Sequence, residues 1–220
     1  MRRVWVGRLG YDAPMRIFRT LLSFLVCALL MDAAAAQDVA LITREGVKQI
    51  LTNPGTGPVG AFKPDVVVVE YFDYNCPYCK KLVPTLKALL AQDSHIGLVY
   101  KDWPILGPVS EYAAASALAA GWQGKYLAAH QALLSGPRLA QVDQVDDILQ
   151  HAGVNMETLK KDRVAHAQEI AALLARNDSE AQALGLKGTP GIVVGRQLVA
   201  GIADLGTLKT LVANSRRDHE

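Results

Sequence analysis

The chain has 220 residues, of which 50 % are hydrophobic and 20 % charged, with a formal net charge of +2, enough for one domain with a real core and too apolar for a disordered chain. That small basicity belongs to the first 36 residues: residues 37–220 carry 18 Lys+Arg against 19 Asp+Glu, a net −1. No basic cluster with interleaved aromatics remains, so nucleic-acid binding loses its support.

At the N-terminus, Arg16 and Arg19 precede an 11-residue apolar run, residues 21–31, and Ala33, Ala34, Ala35, Ala36 and Gln37 then supply the small residues a signal peptidase requires. The run falls short of the roughly 20 residues that cross a bilayer. Residues 1–36 are therefore expected to be a secretory signal peptide cut near Ala36, with Met15 as a start of more ordinary proportions. Cys27 leaves with it. The exported chain keeps Cys76 and Cys79 of the three cysteines, with no competing disulfide framework.

Residues 39–51 place Val39, Ile42, Val47, Ile50 and Leu51 at helical spacing, and Asn53-Pro54-Gly55-Thr56-Gly57-Pro58 ends the pattern. Residues 37–60 are thus an N-terminal helical arm and linker, able to pack on a second subunit or fold back on its own domain. Val66-Val67-Val68-Val69-Glu70-Tyr71-Phe72 is apolar on both alternating faces, as in a strand covered on both sides. Beyond Cys76-Pro77-Tyr78-Cys79, the residues Leu82, Val83, Leu86, Leu89 and Leu90 predict a helix, with Pro77 in a first turn where a missing N–H costs nothing. Residues 96–101 read as a second strand, closed by Trp103-Pro104.

From residue 109 to 184 the sequence is alanine-rich and helical in period, broken at Gly121, Ser135-Gly136-Pro137 and Gly153. Gly188-Thr189-Pro190-Gly191 then leads into Ile192-Val193-Val194, a turn at Gly195-Arg196 and a return run from Gln197 to Ala200, a hairpin pattern. A last helix is expected from the N-cap Asp204 to Val212. The order β-α-β, helices, β-β-α indicates an α/β domain interrupted by a helical subdomain. Its segments are residues 61–106, the insertion 107–184, residues 185–214 and a tail, 215–220.

Two cysteines separated by two residues at a helix start can close a small reversible disulfide. The thiolate is the nucleophile, and the helix N-terminus favours it on Cys76; Cys79, a turn further in, is the expected resolving thiol. Other readings stand beside this one. Half a zinc site lacks further cysteines, and a structural staple closing so short a loop gains little chain entropy. A Cu(I) site suits the thiolates. Glu70 ends an apolar strand, a costly place for a charge unless it is paired or titrates. The five histidines of the mature chain show no paired spacing and are read as structural.

The run from Glu70 to Lys80, with Gly188-Thr189-Pro190-Gly191 far downstream and helices between, resembles the DsbA-type thiol:disulfide oxidoreductases, closest to ScsC-like and DsbG-like members, over residues 43–212. The resemblance implies an α/β thioredoxin-like fold with an inserted all-helical subdomain. It implies a redox-active disulfide between catalytic Cys76 and Cys79, and a cis bond at Thr189-Pro190, whose backbone pairs with substrate; the local sequence alone allows a plain turn there. It also implies that Glu70 lies beneath the cysteines near Lys101, tuning them together with Pro77 and Tyr78. No cofactor or metal is expected. The partners would be exported proteins with free or mispaired cysteines and a membrane redox protein that resets the pair, in the periplasm. Net oxidation is favoured over isomerisation or reduction, and the oligomeric state stays open.

Overall fold

The structure, a computed structural model, describes residues 39–52, 59–61 and 63–218; the expected signal peptide, its cleavage point and residues 53–58 of the linker lie outside them. The chain begins with a short strand β1 (Val39–Leu41), a helix α1 (Arg44–Thr52) and a two-residue strand β2 (Val59–Gly60). Strand β3 (Val66–Phe72), helix α2 (Pro77–Gln92) and strand β4 (Ile96–Asp102) follow. Five helices then run in succession: α3 (Pro108–Ala120), α4 (Tyr126–Ser135), α5 (Val142–His151), α6 (Met156–Ala165) and α7 (Ala167–Ala183). The hairpin β5 (Gly191–Val194) and β6 (Gln197–Ala200) and helix α8 (Leu205–Arg217) complete it.

The six strands form one sheet in the order β1-β6-β5-β3-β4-β2, with β3 parallel to β4 and the other pairs antiparallel. Both faces are covered, which is why β3 carries no polar alternation. On one face Val66, Val68, Ile192 and Val194 pack under α2 and α8. On the other, Val69, Tyr71, Val99 and Val193 meet Ile50 of α1 and Ala181 of α7. The predicted arm therefore folds back on its own domain. A third core fills the helical insertion and runs without a break into Phe72, Tyr74, Cys76 and Cys79.

Three boundaries differ from expectation. Val39 to Leu41 is an edge strand on β6, not the start of a helix; with all three residues exposed, ladder bonds rather than burial hold it. Linker residues Val59 and Gly60 pair with β4 at the opposite edge. The last helix continues past Val212 to Arg217, through half of the expected tail, because Arg216 holds both Asp65 before β3 and Asp93 at the end of α2, at 2.9 and 2.8 Å. Asp204 caps it as expected, accepting from the Thr207 amide at 2.7 Å.

Lys101 does not lie beside Glu70 and the cysteines, contrary to what the resemblance implied. In the parallel register Lys101 lies opposite Tyr71, while Glu70 lies opposite Tyr100. Side chains alternate along a strand, so Glu70 and Lys101 point to opposite faces. The buried Lys101 ammonium instead donates to Glu180 of α7 at 2.9 Å, and the Tyr71 hydroxyl donates to the same oxygen at 3.0 Å. Further along the same seam the Trp103 indole donates to Asp178 and the Asn177 amide to the Asp102 carbonyl. Helix α7 is thus locked to the sheet just before the chain turns toward Thr189.

Lys101 is wholly enclosed and Glu180 is 14 % exposed, so Lys101→Met leaves a largely buried carboxylate without its cation. The expected cost is about 3 kcal/mol, read as a lower urea midpoint at unchanged slope. The Cys76 thiol, across the sheet, should titrate as before; a shifted thiol titration would restore Lys101 to the active site.

Candidate active site

Strand β3 ends beneath the N-terminus of α2, and the three residues between Phe72 and Cys76 tie that junction together. Asp73 is buried, and its carboxylate accepts from the Asn75 amide and the Ser110 hydroxyl on one oxygen, and from the Ile105 and Leu106 amides on the other. Its carbonyl accepts from the Cys76 amide. The Asn75 side chain makes a two-way bond with the backbone of Leu139, donating at 3.1 Å and accepting at 2.8 Å. Tyr74 enters the core between them, where its hydroxyl and that of Tyr126 bond the buried Asp102 carboxylate and His130 lies 3.3 Å from the Tyr74 oxygen. Burial holds Asp102 up at about 7 and His130 down at about 3, so this histidine is neutral and structural.

Cys76 is the N-cap of α2, with Pro77 in the first helical position. Its sulfur accepts from the Cys79 amide at 3.5 Å and, as a thiol, donates to the Thr189 carbonyl at 3.2 Å. That carbonyl can only accept, so it favours the protonated form, but it is outweighed. The Cys79 thiol donates to Cys76, the Thr189 side chain assists, and the Cys79 and Tyr78 amides add theirs; against the cost of burial they bring the Cys76 pKa down to about 6. Tyr78 thus acts through its backbone, with its ring 55 % exposed.

Cys79 has the opposite fate. It is fully buried, and its pKa is driven far up, first by desolvation, then by its bond to Cys76 and by the charge of Glu70. Glu70 lies on the same side of the sheet. Burial, with a smaller push from charge on Cys76, raises it to about 8, and its Oε1 has no hydrogen-bond partner among the described residues. Beside it, between α2 and α4, is a cavity of about 50 Å³ lined by Glu70, Tyr100, His130, Leu86 and Gln131, larger than the ~10–15 Å³ that one water requires.

Thr189-Pro190 is cis, as the resemblance implied. Gly191 follows because a Cβ there would run into the Leu186 side chain. The loop brings Thr189 to Cys76 across 113 residues of sequence. Lys80, next to Cys79, donates to the Leu133 and Gly136 carbonyls at the end of α4, placing a cation where carbonyls are unpaired. Sequence reasoning gave no separate role to Asp73, Asn75, Lys80 or Asp102. The readable signal was polar residues set in an apolar stretch; their partners, 24 to 64 residues away, were not readable.

Two free thiols one turn apart at a helix start, with Thr189 of the cis-proline loop against the first, have on this sheet the arrangement of a thioredoxin-fold thiol-disulfide oxidoreductase. The chain belongs to the DSBA-like thioredoxin domain family, whose profile matches residues 67–213. A thioredoxin-like oxidoreductase from Silicibacter pomeroyi is 38 % identical over 80 % of this chain and 99 % of its own, with a TM-score of 0.74. The thiol-disulfide exchange protein alpha-DsbA2 from Wolbachia pipientis is 26 % identical over 78 % and 94 %, at 0.71. The catalytic domain of Proteus mirabilis ScsC, 23 % identical over 80 % and 99 %, shares the fold at 0.65. Two Na(+)/H(+) antiporters of Salinispora match at 39 % over 72 residues and 32 % over 121, but the chain spans 11 % and 18 % of their length.

In the reduced protein one thiolate, that of Cys76, should appear in the ultraviolet with a midpoint near pH 6, and no second below pH 9. Cys79→Ala removes the foremost stabiliser of that thiolate and should raise the midpoint by about one unit. An unmoved midpoint would assign the stabilisation to the helix N-terminus.

Proposed function

We propose that this oxidoreductase acts in the periplasm on exported proteins through the Cys76–Cys79 pair, with net oxidation as its favoured direction. The observation that carries the reading is the inequality of the two thiols. A substrate thiolate attacks Cys76 Sγ of the disulfide, the Sγ–Sγ bond breaks, and Cys79 leaves as a thiolate that its buried site disfavours. Glu70, neutral below about pH 8, is the proton donor placed for it, and the adjoining cavity offers a route for recharging it. A second substrate thiolate then attacks the substrate sulfur of the mixed disulfide and releases Cys76 as thiolate. The substrate loses two electrons and the cysteine pair gains them. A membrane redox partner must take those two electrons to restore the disulfide.

Lowering the Cys76 pKa from 9.0 to about 6 stabilises the reduced form at pH 7 by about 1.4 kcal/mol, or roughly 30 mV toward oxidising. That supports oxidation over reduction. The arm packed on its own sheet supports the same reading against an isomerase assembled through that arm. Substrate backbone has a place at Thr189, whose amide makes no hydrogen bond among the described residues and whose carbonyl is freed when Cys76 is a thiolate or disulfide. Exposed Tyr78, Ile105, Leu106 and Ile202, on segments bonded to the motif or to the Pro190 loop, supply apolar contacts. The periplasmic location rests on the leader pattern.

Oxidised protein mixed with a reduced dithiol peptide should transfer one disulfide per chain, and Cys76→Ser should abolish transfer. Tight Cu(I) retention without transfer would favour a copper-handling protein using the same thiols. Glu70→Gln should slow reduction of the disulfide below about pH 8, where native Glu70 carries its proton, and change it little well above. It should also gain stability over the native protein as pH rises from 5 to 9, by on the order of 2–4 kcal/mol. Folding raises the Glu70 pKa from 4.5 to about 8, so the folded state holds the extra proton and pays for losing it only as pH rises. A flat stability difference would remove Glu70 from the mechanism.

A further inference from the structure

The segment between β4 and α3 carries two of the exposed large apolar side chains, Ile105 at 40 % and Leu106 at 50 % exposure. Such side chains in an irregular segment need something to hold their backbone. Both their amides donate to one oxygen of Asp73, at 2.8 and 2.9 Å. The other oxygen takes the Asn75 amide and the Ser110 hydroxyl, both at 2.7 Å. Four short bonds saturate a carboxylate that is 1 % exposed. Three of the four donors lie 32 to 37 residues away, while Asp73 itself is three residues before Cys76 and accepts from the Cys76 amide through its own carbonyl.

We infer that Asp73 is a positioning residue that fixes the Ile105–Leu106 segment at a set place relative to Cys76, so that an apolar stretch of substrate and the attacked sulfur are presented together. An acceptor of four hydrogen bonds is needed because the donors come from three separate pieces of chain: the turn before Cys76, the 105–106 segment and the first turn of α3. A neutral amide there can accept on one side only and turns an NH₂ group toward two N–H or O–H donors. The inference rests on the disulfide-exchange reading for its kinetic test but not for its structural one.

The kinetic probe is a reduced dithiol peptide with Leu and Phe beside its cysteines. Asp73→Asn should raise its KM about tenfold with kcat lowered less than threefold, and Ser110→Ala, a milder lesion, should raise KM about threefold. The double variant Ile105→Ser/Leu106→Ser should raise KM to a similar degree, and combining it with Asp73→Asn should add little, since both act on one contact. Additive effects, or a loss confined to kcat, would overturn the inference. Hydrogen exchange reads the clamp without activity: the Ile105 and Leu106 amides should be protected in the native protein and exchange at least tenfold faster in Asp73→Asn, or threefold faster in Ser110→Ala should Asp73→Asn fail to fold. Unchanged protection would overturn it. Native protein that protects these amides but transfers no disulfide would overturn the functional reading and leave the clamp standing.

Discussion

The structure depends on allowing a negative charge on one sulfur and forbidding it on another a helical turn away. The helix start alone does part of this, because the first N–H groups of α2 have no intrahelical partners and face Cys76. Cys76 is nearly enclosed, where a helix terminus contributes up to about 2 kcal/mol, about half of what a fall from 9.0 to about 6 requires. The remainder comes from making Cys79 a donor: its burial keeps it protonated, and a protonated Cys79 can only help the thiolate beside it. Burial of one cysteine thus favours the thiolate of the other.

Keeping Cys79 dry requires a roof. Phe72, Tyr74, Cys76 and Cys79 belong to the same apolar cluster as α3, α4, α5 and α7, so the helical insertion closes the active site from within. It is joined to the sheet by polar bonds of fixed geometry on both sides of Tyr74: Asp73 to the entry of α3 and Asn75 to the segment between α4 and α5. Lys80 adds a third tie, to the end of α4. At its far end the insertion returns through α7, held against the other face by Lys101, Tyr71 and Trp103. The chain leaves that helix a few residues before Thr189, so the strut that braces the insertion also aims the loop that meets Cys76.

Local pattern carried much of this in the sequence. The all-apolar β3, the helix behind the cysteines, the hairpin after Pro190 and the Asp204 cap follow from periodicity and turn chemistry, which act over a few residues. Partners across the fold did not. Which side of the sheet Lys101 faces depends on the strand alternation and the register with β3, and a shift of one residue reverses the answer. Asp73 and Asn75 stood in the quoted motif, but a carboxylate's value lies in its donors, and those came from loops with no pattern of their own. Val39 to Leu41 was too short to separate strand from helix by period. The approach of Thr189 to Cys76 was legible only through resemblance.

The two faces of the sheet bury charge for different ends. Glu70 and Lys101 are separated by one position in register and both are enclosed. Lys101 has a carboxylate at 2.9 Å, and that partner offsets the cost of keeping the ammonium out of water, so the pair behaves as a fixed brace. Glu70 faces apolar side chains, Tyr100 and a small cavity whose wall also carries His130 and Lys87, with one oxygen unbonded among the described residues. An unpaired acid in such a place relieves its burial by holding a proton, which is why it sits near 8 instead of below 5. A lysine opposite Glu70 would have returned it to the ordinary carboxylate range. The absence of a bridge between these two residues is therefore what lets burial keep Glu70 protonated at neutral pH, the state that the proposed exchange draws on.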